Sequence, residues 1–265
     1  MRKVILAAVI LMFLFGCGKK VNMFVVGYIQ RGQQTDLHYW GGQSGYIYSD
    51  PDIEQLTVFI NEDSTNVVLP QGLNLYASFS DPDTVPPTVG IEYKFDIKTN
   101  LGNATATCTL PGDYDFTYPQ DKDTVPANTA LIITWNTAAG ADWYYLDVQY
   151  EDSAYTYWKD TTVTTDSTSW TLPAVWIKDK GRLWINLNAC NGPKVEPGAA
   201  GNVNGAKGYC IAINTRQHTA YVGSSFLAAS KIQPKVGAPK EFIMKYLRDM
   251  SKYNDDAAEM LELMK

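Results

Sequence analysis

Hydrophobic and polar positions alternate with a period of two through most of this chain, and shift to a helical period only near its end. The clearest alternation is Ile91, Tyr93, Phe95 and Ile97 interleaved with Glu92, Lys94, Asp96 and Lys98, the pattern of a strand with one wet face. Asn100-Leu101-Gly102-Asn103 follows, with residues that tolerate positive φ, so a turn is expected there. Ala104, Ala106, Cys108 and Leu110 then share one face, opposite Thr105, Thr107 and Thr109. A hairpin is predicted, with Cys108 pointing into its core as a free thiol. Phe24 to Ile29, Gln55 to Ile60 and Leu73 to Phe79 predict further strands, and together these define a first β-domain over residues 23–112. Gly41-Gly42-Gln43-Ser44-Gly45 has no strand-then-helix frame around it and is expected to be a hairpin loop.

The second half continues in the same manner. Leu131-Ile132-Ile133-Thr134-Trp135 predicts a strand, Asn136 to Asp142 a loop, and Tyr144, Leu146 and Val148 the next strand. Trp170-Thr171-Leu172-Pro173 and the alternating Leu183, Ile185, Leu187 and Ala189 follow. This order resembles the B, C, E and F strands of fibronectin type III domains over roughly Thr129 to Asn214, although Leu183 stands where that family keeps a tyrosine. The resemblance implies a β-sandwich and no activity. The expected fold class is therefore mainly β: two Ig-like or fibronectin III-like sandwiches, the second over residues 113–232, with an amphipathic helical segment over residues 233–265. Phe242, Ile243, Tyr246, Leu247, Met250, Ala257, Met260, Leu261 and Met264 set the helical period. Asn254-Asp255-Asp256 is expected to break it, with Asp255 capping a second helix. Packing on the second sandwich, or a mobile tail, is the expected fate of this segment, with docking or dimerisation as the alternative.

Strand phase also bears on the cysteines. If Leu183, Ile185, Leu187 and Ala189 face inward, Cys190 faces outward. In Tyr209-Cys210-Ile211-Ala212-Ile213 the larger apolar residues face inward, so Cys210 faces outward too. Two outward cysteines on adjacent antiparallel strands can meet at bridging distance, so a Cys190–Cys210 disulfide is predicted. By the same parity Trp184 lies on the outward face.

The N-terminus has a different character. Arg2 and Lys3 precede an uninterrupted apolar run from Val4 to Phe15, the layout of a secretory signal. The run is shorter than the roughly 20 apolar residues needed to span a bilayer. Leu14-Phe15-Gly16-Cys17 resembles the lipobox of bacterial lipoproteins. That resemblance implies removal of residues 1–16, acylation of Cys17, and a tether over residues 17–22. The implied partner is a membrane, reached through the acyl anchor, and the implied location is the bacterial cell envelope. Gly18 rather than Asp follows Cys17, so the outer membrane is the expected station, with the leaflet open.

Composition narrows the function further. The 265 residues carry 22 Lys+Arg against 28 Asp+Glu, a net charge of −6. An acidic surface argues against nucleic acid as a partner. Hydrophobic content of 45% supports real cores rather than a disordered stalk. The two histidines, His38 and His218, lie far apart, and there is no His-Glu-x-x-His, nucleophile elbow, phosphate loop or paired-Cys zinc spacing. Neither an enzyme nor a cofactor is expected, and no metal. Asp-x-Asp-Thr-Val-Pro occurs at Asp81 to Pro86 and at Asp121 to Pro126. Two carboxylates fall short of the six to eight oxygens Ca²⁺ takes, so turn-making is their expected role. The remaining lead is aromatic: Trp158 and Trp184 are candidate residues for stacking on a ligand. A non-enzymatic binding or scaffolding module is the expected function, with an unknown protein partner, and a carbohydrate-binding module is the alternative.

Overall fold

The computed structural model describes residues 22–35, 38–50, 52–70, 76–81, 86–154, 158–223 and 239–263. The lipobox and Cys17 lie outside them. The strands of the first half are β1 (Asn22–Thr35), β2 (His38–Asp50), β3 (Leu56–Ile60), β4 (Asp63–Ser64), β5 (Asn66–Val68), β6 (Tyr76–Ser80), β7 (Glu92–Thr99) and β8 (Gly102–Thr109). Those of the second half are β9 (Phe116–Tyr118), β10 (Thr124–Val125), β11 (Leu131–Trp135), β12 (Trp143–Asp152), β13 (Trp158–Thr165), β14 (Ser169–Leu172), β15 (Gly181–Asn191) and β16 (Lys207–Val222). Two helices close the chain, α1 (Pro239–Met250) and α2 (Asp255–Leu263).

One nine-stranded sheet runs through both halves in the order β13-β12-β15-β16-β1-β2-β6-β5, with β10 beside the far end of β16. Its seam is the parallel pairing of β1 with β16, which sets Phe24 to Gln33 alongside Lys207 to Arg216. Two small sheets cover one face, β4-β3-β7-β8 over the first half and β14-β11-β9 over the second. The strand β16 is long enough to serve both. Its Cys210 and Ala212 enter the core beneath β3, β7 and β8, and its Ala220 and Val222 enter the core beneath β9, β11 and β14. Sheets packed face to face in this way bury alternate residues of each strand, and the Tyr93, Phe95 and Ile97 side of β7 is buried as its alternation predicts.

Polar residues hold the crossing between the small sheets. Asn214 donates from Nδ2 to the carbonyls of Pro111 and Gly112 at 3.1 and 3.0 Å. Arg216 donates from Nε to the carbonyl of Tyr114 at 2.8 Å and pairs with Asp113 at 3.2 Å. The Tyr114 hydroxyl sits against the carbonyls of Leu187 and Asn214 at 2.5 and 3.0 Å. Burial pushes this phenol well above its ordinary pKa, so it stays a donor. Burial favours such pairing, although the Oδ1 of Asn214 and the Nη1 of Arg216 are buried without a hydrogen-bond partner among the described residues.

The helices cover the opposite face of the large sheet. Ile243, Tyr246, Leu247, Met250, Ala257 and Leu261 pack on Phe24, Val26, Trp143, Tyr145, Tyr209, Ile211 and Ile213. Helices this short are marginal alone in water, so that burial is what holds them. Their seat lies over the β1–β16 seam and reaches both halves, beyond the second sandwich alone. The break between the helices falls where expected, but the cap is Asn254, one residue early: its Oδ1 accepts from the backbone N–H of Ala257 at 3.2 Å.

Gly41 to Gly45, expected as a loop, lies inside β2, paired with β1 on one side and, from Ser44 on, with β6 on the other. Glycine is there for clearance. A Cβ on Gly45 would stand 2.3 Å from the Phe79 ring and 2.4 Å from the Val26 carbonyl oxygen. The second Asp-x-Asp copy makes a turn, as expected: Asp121 accepts from the N–H of Thr219 at 3.0 Å and Asp123 from that of Gln120 at 2.8 Å. Most of the first copy, residues 82–85, lies outside the described residues.

Candidate functional site

The helix-bearing face of the large sheet changes character along its strands. Register places Trp143, Cys190 and Ile213 in one row across β12, β15 and β16, and Tyr145, Asn188 and Thr215 in the next row of that face. These two rows are buried. Asp147, Asn186 and Gln217 follow, then Gln149, Trp184 and Thr219, then Glu151, Arg182 and Tyr221. The adjacent strand β13 adds Trp158 opposite Glu151. The last two rows form a mixed aromatic and charged patch beyond the helices, and this is the candidate site.

Within the patch, Trp158 is 44% exposed while Trp184 is 1% exposed. The two rings lie 5.3 Å apart, and the Arg182 guanidinium lies 5.6 Å from both the Trp184 and the Tyr221 rings. Both distances are within the range of a cation–π contact. Trp184 does face away from the sandwich core, as its strand phase requires, but it is covered and cannot offer a face to a ligand. Trp158 can. Sequence reasoning missed Arg182, Glu151 and Tyr221, because the feature that joins them is cross-strand register. Parity alone would have put Arg182 on the face of Trp184.

Charge is buried next to the patch. Desolvation raises the pKa of Asp147 above its ordinary 3.8, against the opposing pull of Lys245 on α1, whose ammonium is 3.4 Å away. Burial likewise raises Glu151, against the opposing pull of Arg182. A carboxyl raised in the folded state contributes stability that is full below its unfolded value and is lost as pH rises through the folded value. The contribution of these two carboxyls to stability should therefore fall as pH climbs above about 4. Asp147→Asn is expected to flatten that fall, and thermal melts of both proteins across pH 4 to 7 would show it; parallel curves would refute it.

Other depressions are shallower in chemistry. One of about 250 Å³ lies between β13 and α1, lined by Tyr145, Thr162, Thr164, Asp249, Lys252 and Tyr253. Its polar groups already serve each other: Tyr145 bonds Asp249 at 3.1 Å and Lys252 bonds Asp249 at 2.7 Å. Another of about 450 Å³ sits on the outer face of the β3–β7 sheet around Phe59, Lys94 and Lys98. His218 lies 3.1 Å from Asp115 and 3.3 Å from the Pro119 carbonyl, against the Phe116 ring, where it ties β9 to β16. No group of three or more His, Cys, Asp or Glu placed to hold a metal occurs among the described residues.

The predicted cysteine pairing is not what the structure brings together. Both Cys190 and Cys210 are fully buried, on opposite faces of the large sheet. Cys190 lies among Trp143 and Tyr246 under the helices. Cys210 faces Cys108 on β8, with the sulfurs 3.1 Å apart. The inference from strand phase assumed one wet face on β15 and β16, whereas both faces here are covered. It also gave the two cysteines the same face: Cys190 shares one with Ile213, and Cys210 lies on the other.

The sheets β14-β11-β9 and β13-β12-β15-β16 face each other in the strand arrangement of an Ig-like or fibronectin III-like sandwich, and the predicted B, C, E and F strands are β11, β12, β14 and β15. No protein-family profile and no curated protein matches the chain. Among solved structures, the fibronectin(III)-like modules of Clostridium thermocellum CbhA align at 9% identity over 80% of this chain and 99% of theirs, with a TM-score of 0.26. DIP-gamma IG1+IG2 aligns at 8% identity over 77% and 98%, with a TM-score of 0.21. The chicken CNTN1 FN1–FN3 domains align at 12% identity over 77% and 68%, with a TM-score of 0.23. Overall superposition at this level is slight, so the class rests on the strand arrangement itself.

Proposed function

We propose that this chain is an exported lipoprotein, acylated at Cys17, that works at the cell envelope as a non-enzymatic binding or scaffolding module. The observation that carries the binding role is the row Trp158–Glu151–Arg182–Tyr221, where an exposed Trp158 stands beside charged and aromatic neighbours. Surfaces of that composition, with Trp, Tyr and Arg, supply the anchors of protein interfaces. The Leu14-Phe15-Gly16-Cys17 stretch supports the anchoring role: several acyl chains together give durable attachment, since each buried CH₂ contributes roughly 0.8 kcal/mol. Metabolic labelling with an alkyne fatty acid tests the anchor. Label should enter the wild-type chain and be lost in Cys17→Ala; unlabelled wild-type protein would refute it.

The carbohydrate reading survives in reduced form. Trp158 offers an exposed ring to a sugar face, and Trp184 does not. Trp158→Ala is expected to leave the protein folded, at a cost of about 1 kcal/mol for the lost aromatic contact, and to abolish binding to any partner that uses this face. A glycan array with wild type and variant separates the readings. Signal lost in Trp158→Ala supports a sugar ligand, and a blank array leaves the protein partner.

A further inference from the structure

We propose that Cys108 and Cys210 form a disulfide that staples the small sheet of the first half to the large sheet, and that Cys190 stays a free thiol. The geometry is already in place. The sulfurs are 3.1 Å apart, about 1 Å beyond a bond of ~2.05 Å, and both side chains are buried, at 3% and 0% exposure. Their backbones are held by one shared loop and by β15. Asn202 brackets Cys210, accepting its N–H at 2.7 Å and donating to its carbonyl at 2.9 Å. β8 is tied to the same loop by the reciprocal bonds of Thr105 and Asn204 at 2.9 and 2.8 Å, and to β15 by Asn191, which accepts from the Thr109 N–H at 2.7 Å. Closing the link requires the two sulfurs to approach by about 1 Å. Cys190 has no such route, because the large sheet itself lies between it and the other two.

The chemistry is a two-electron oxidation. Two S–H bonds break and one S–S bond forms. A disulfide-bearing oxidant accepts the two electrons and two protons and leaves as two thiols. In the cell the step rests on export, since such oxidants persist in oxidising compartments. The pairing itself does not, because it can be driven on purified protein.

The test therefore uses the full chain, unfolded in urea with dithiothreitol, freed of both, and refolded with either oxidised glutathione or reductant. Each sample is denatured, alkylated without further reduction, digested and mapped by mass. The glutathione sample should yield a peptide containing Cys108 linked to one containing Cys210, with Cys190 alkylated. Because the linked residues are 102 apart in sequence, the oxidised protein should melt higher than the reduced one by roughly 5–15 °C. Cys108→Ala and Cys210→Ala should each abolish that shift, and Cys190→Ala should retain it. Alkylation of both Cys108 and Cys210 in the refolded oxidised protein, or a link that includes Cys190, overturns the proposal. Failure of Cys17 to take up fatty acid would instead count against export and leave the pairing standing.

Discussion

Gly208→Ala is expected to be among the most damaging single substitutions in this protein, costing about 3 kcal/mol or more, the scale of overpacking combined with backbone strain. Gly208 lies near the start of β16 with φ at +135°, and a Cβ there would stand 1.8 Å from the Val25 carbonyl oxygen. Neither the methyl group nor the backbone can move without separating β1 from β16, and that pairing is what joins the two halves. Gly42→Ala is the matched control. It also sits within a strand of the large sheet, but nothing lies within 4 Å of its added Cβ, so a change within about 0.5 kcal/mol is expected. Urea melts of the two variants measure this directly, and equal midpoints would refute it.

Trp143→Ala is expected to cost about 3–5 kcal/mol, the usual range for emptying a large aromatic site in a core, and to loosen the C-terminal helices. The side chain is 1% exposed, its ring stacks on Tyr246 of α1 at 6.3 Å, and its indole N–H donates to the Gly192 carbonyl at 2.9 Å. Tyr246 in turn reaches the Pro193 carbonyl at 2.8 Å. Removing the indole therefore opens a cavity and frees one side of the helix seat together. Limited proteolysis should cut the variant within residues 239–263 at protease levels the wild type survives. A variant that loses stability while its helices stay protected would show that the helices do not depend on this contact.

Local pattern carried most of the strands. The β7–β8 hairpin, the strand at Leu131 to Trp135 and the alternation through Leu183 to Ala189 were legible because each buries one face against a neighbour close in the fold. What stayed hidden is non-local. Nothing in Phe24 to Gln33 reveals a parallel partner nearly two hundred residues later, because parallel pairing needs a long connection and leaves no turn signature. From that omission the cysteine arrangement follows. Around Tyr209 to Ile213, β16 is covered on both faces, so Cys210 meets Cys108 and Cys190 on β15 is shielded by helices. Gly45 is in a sheet because β2 is sandwiched between β1 and β6. At the candidate site, Trp158 was found by its chemistry and Arg182 was within reach of strand parity, while Glu151 and Tyr221 emerge only once the strands are in register.

The measurement that bears most directly on the shared sheet is scanning calorimetry of the whole chain. With β16 common to both cores, the protein should unfold in one transition whose calorimetric and van't Hoff enthalpies agree. Two resolved transitions, with the strands before residue 112 melting while the rest holds, would contradict it.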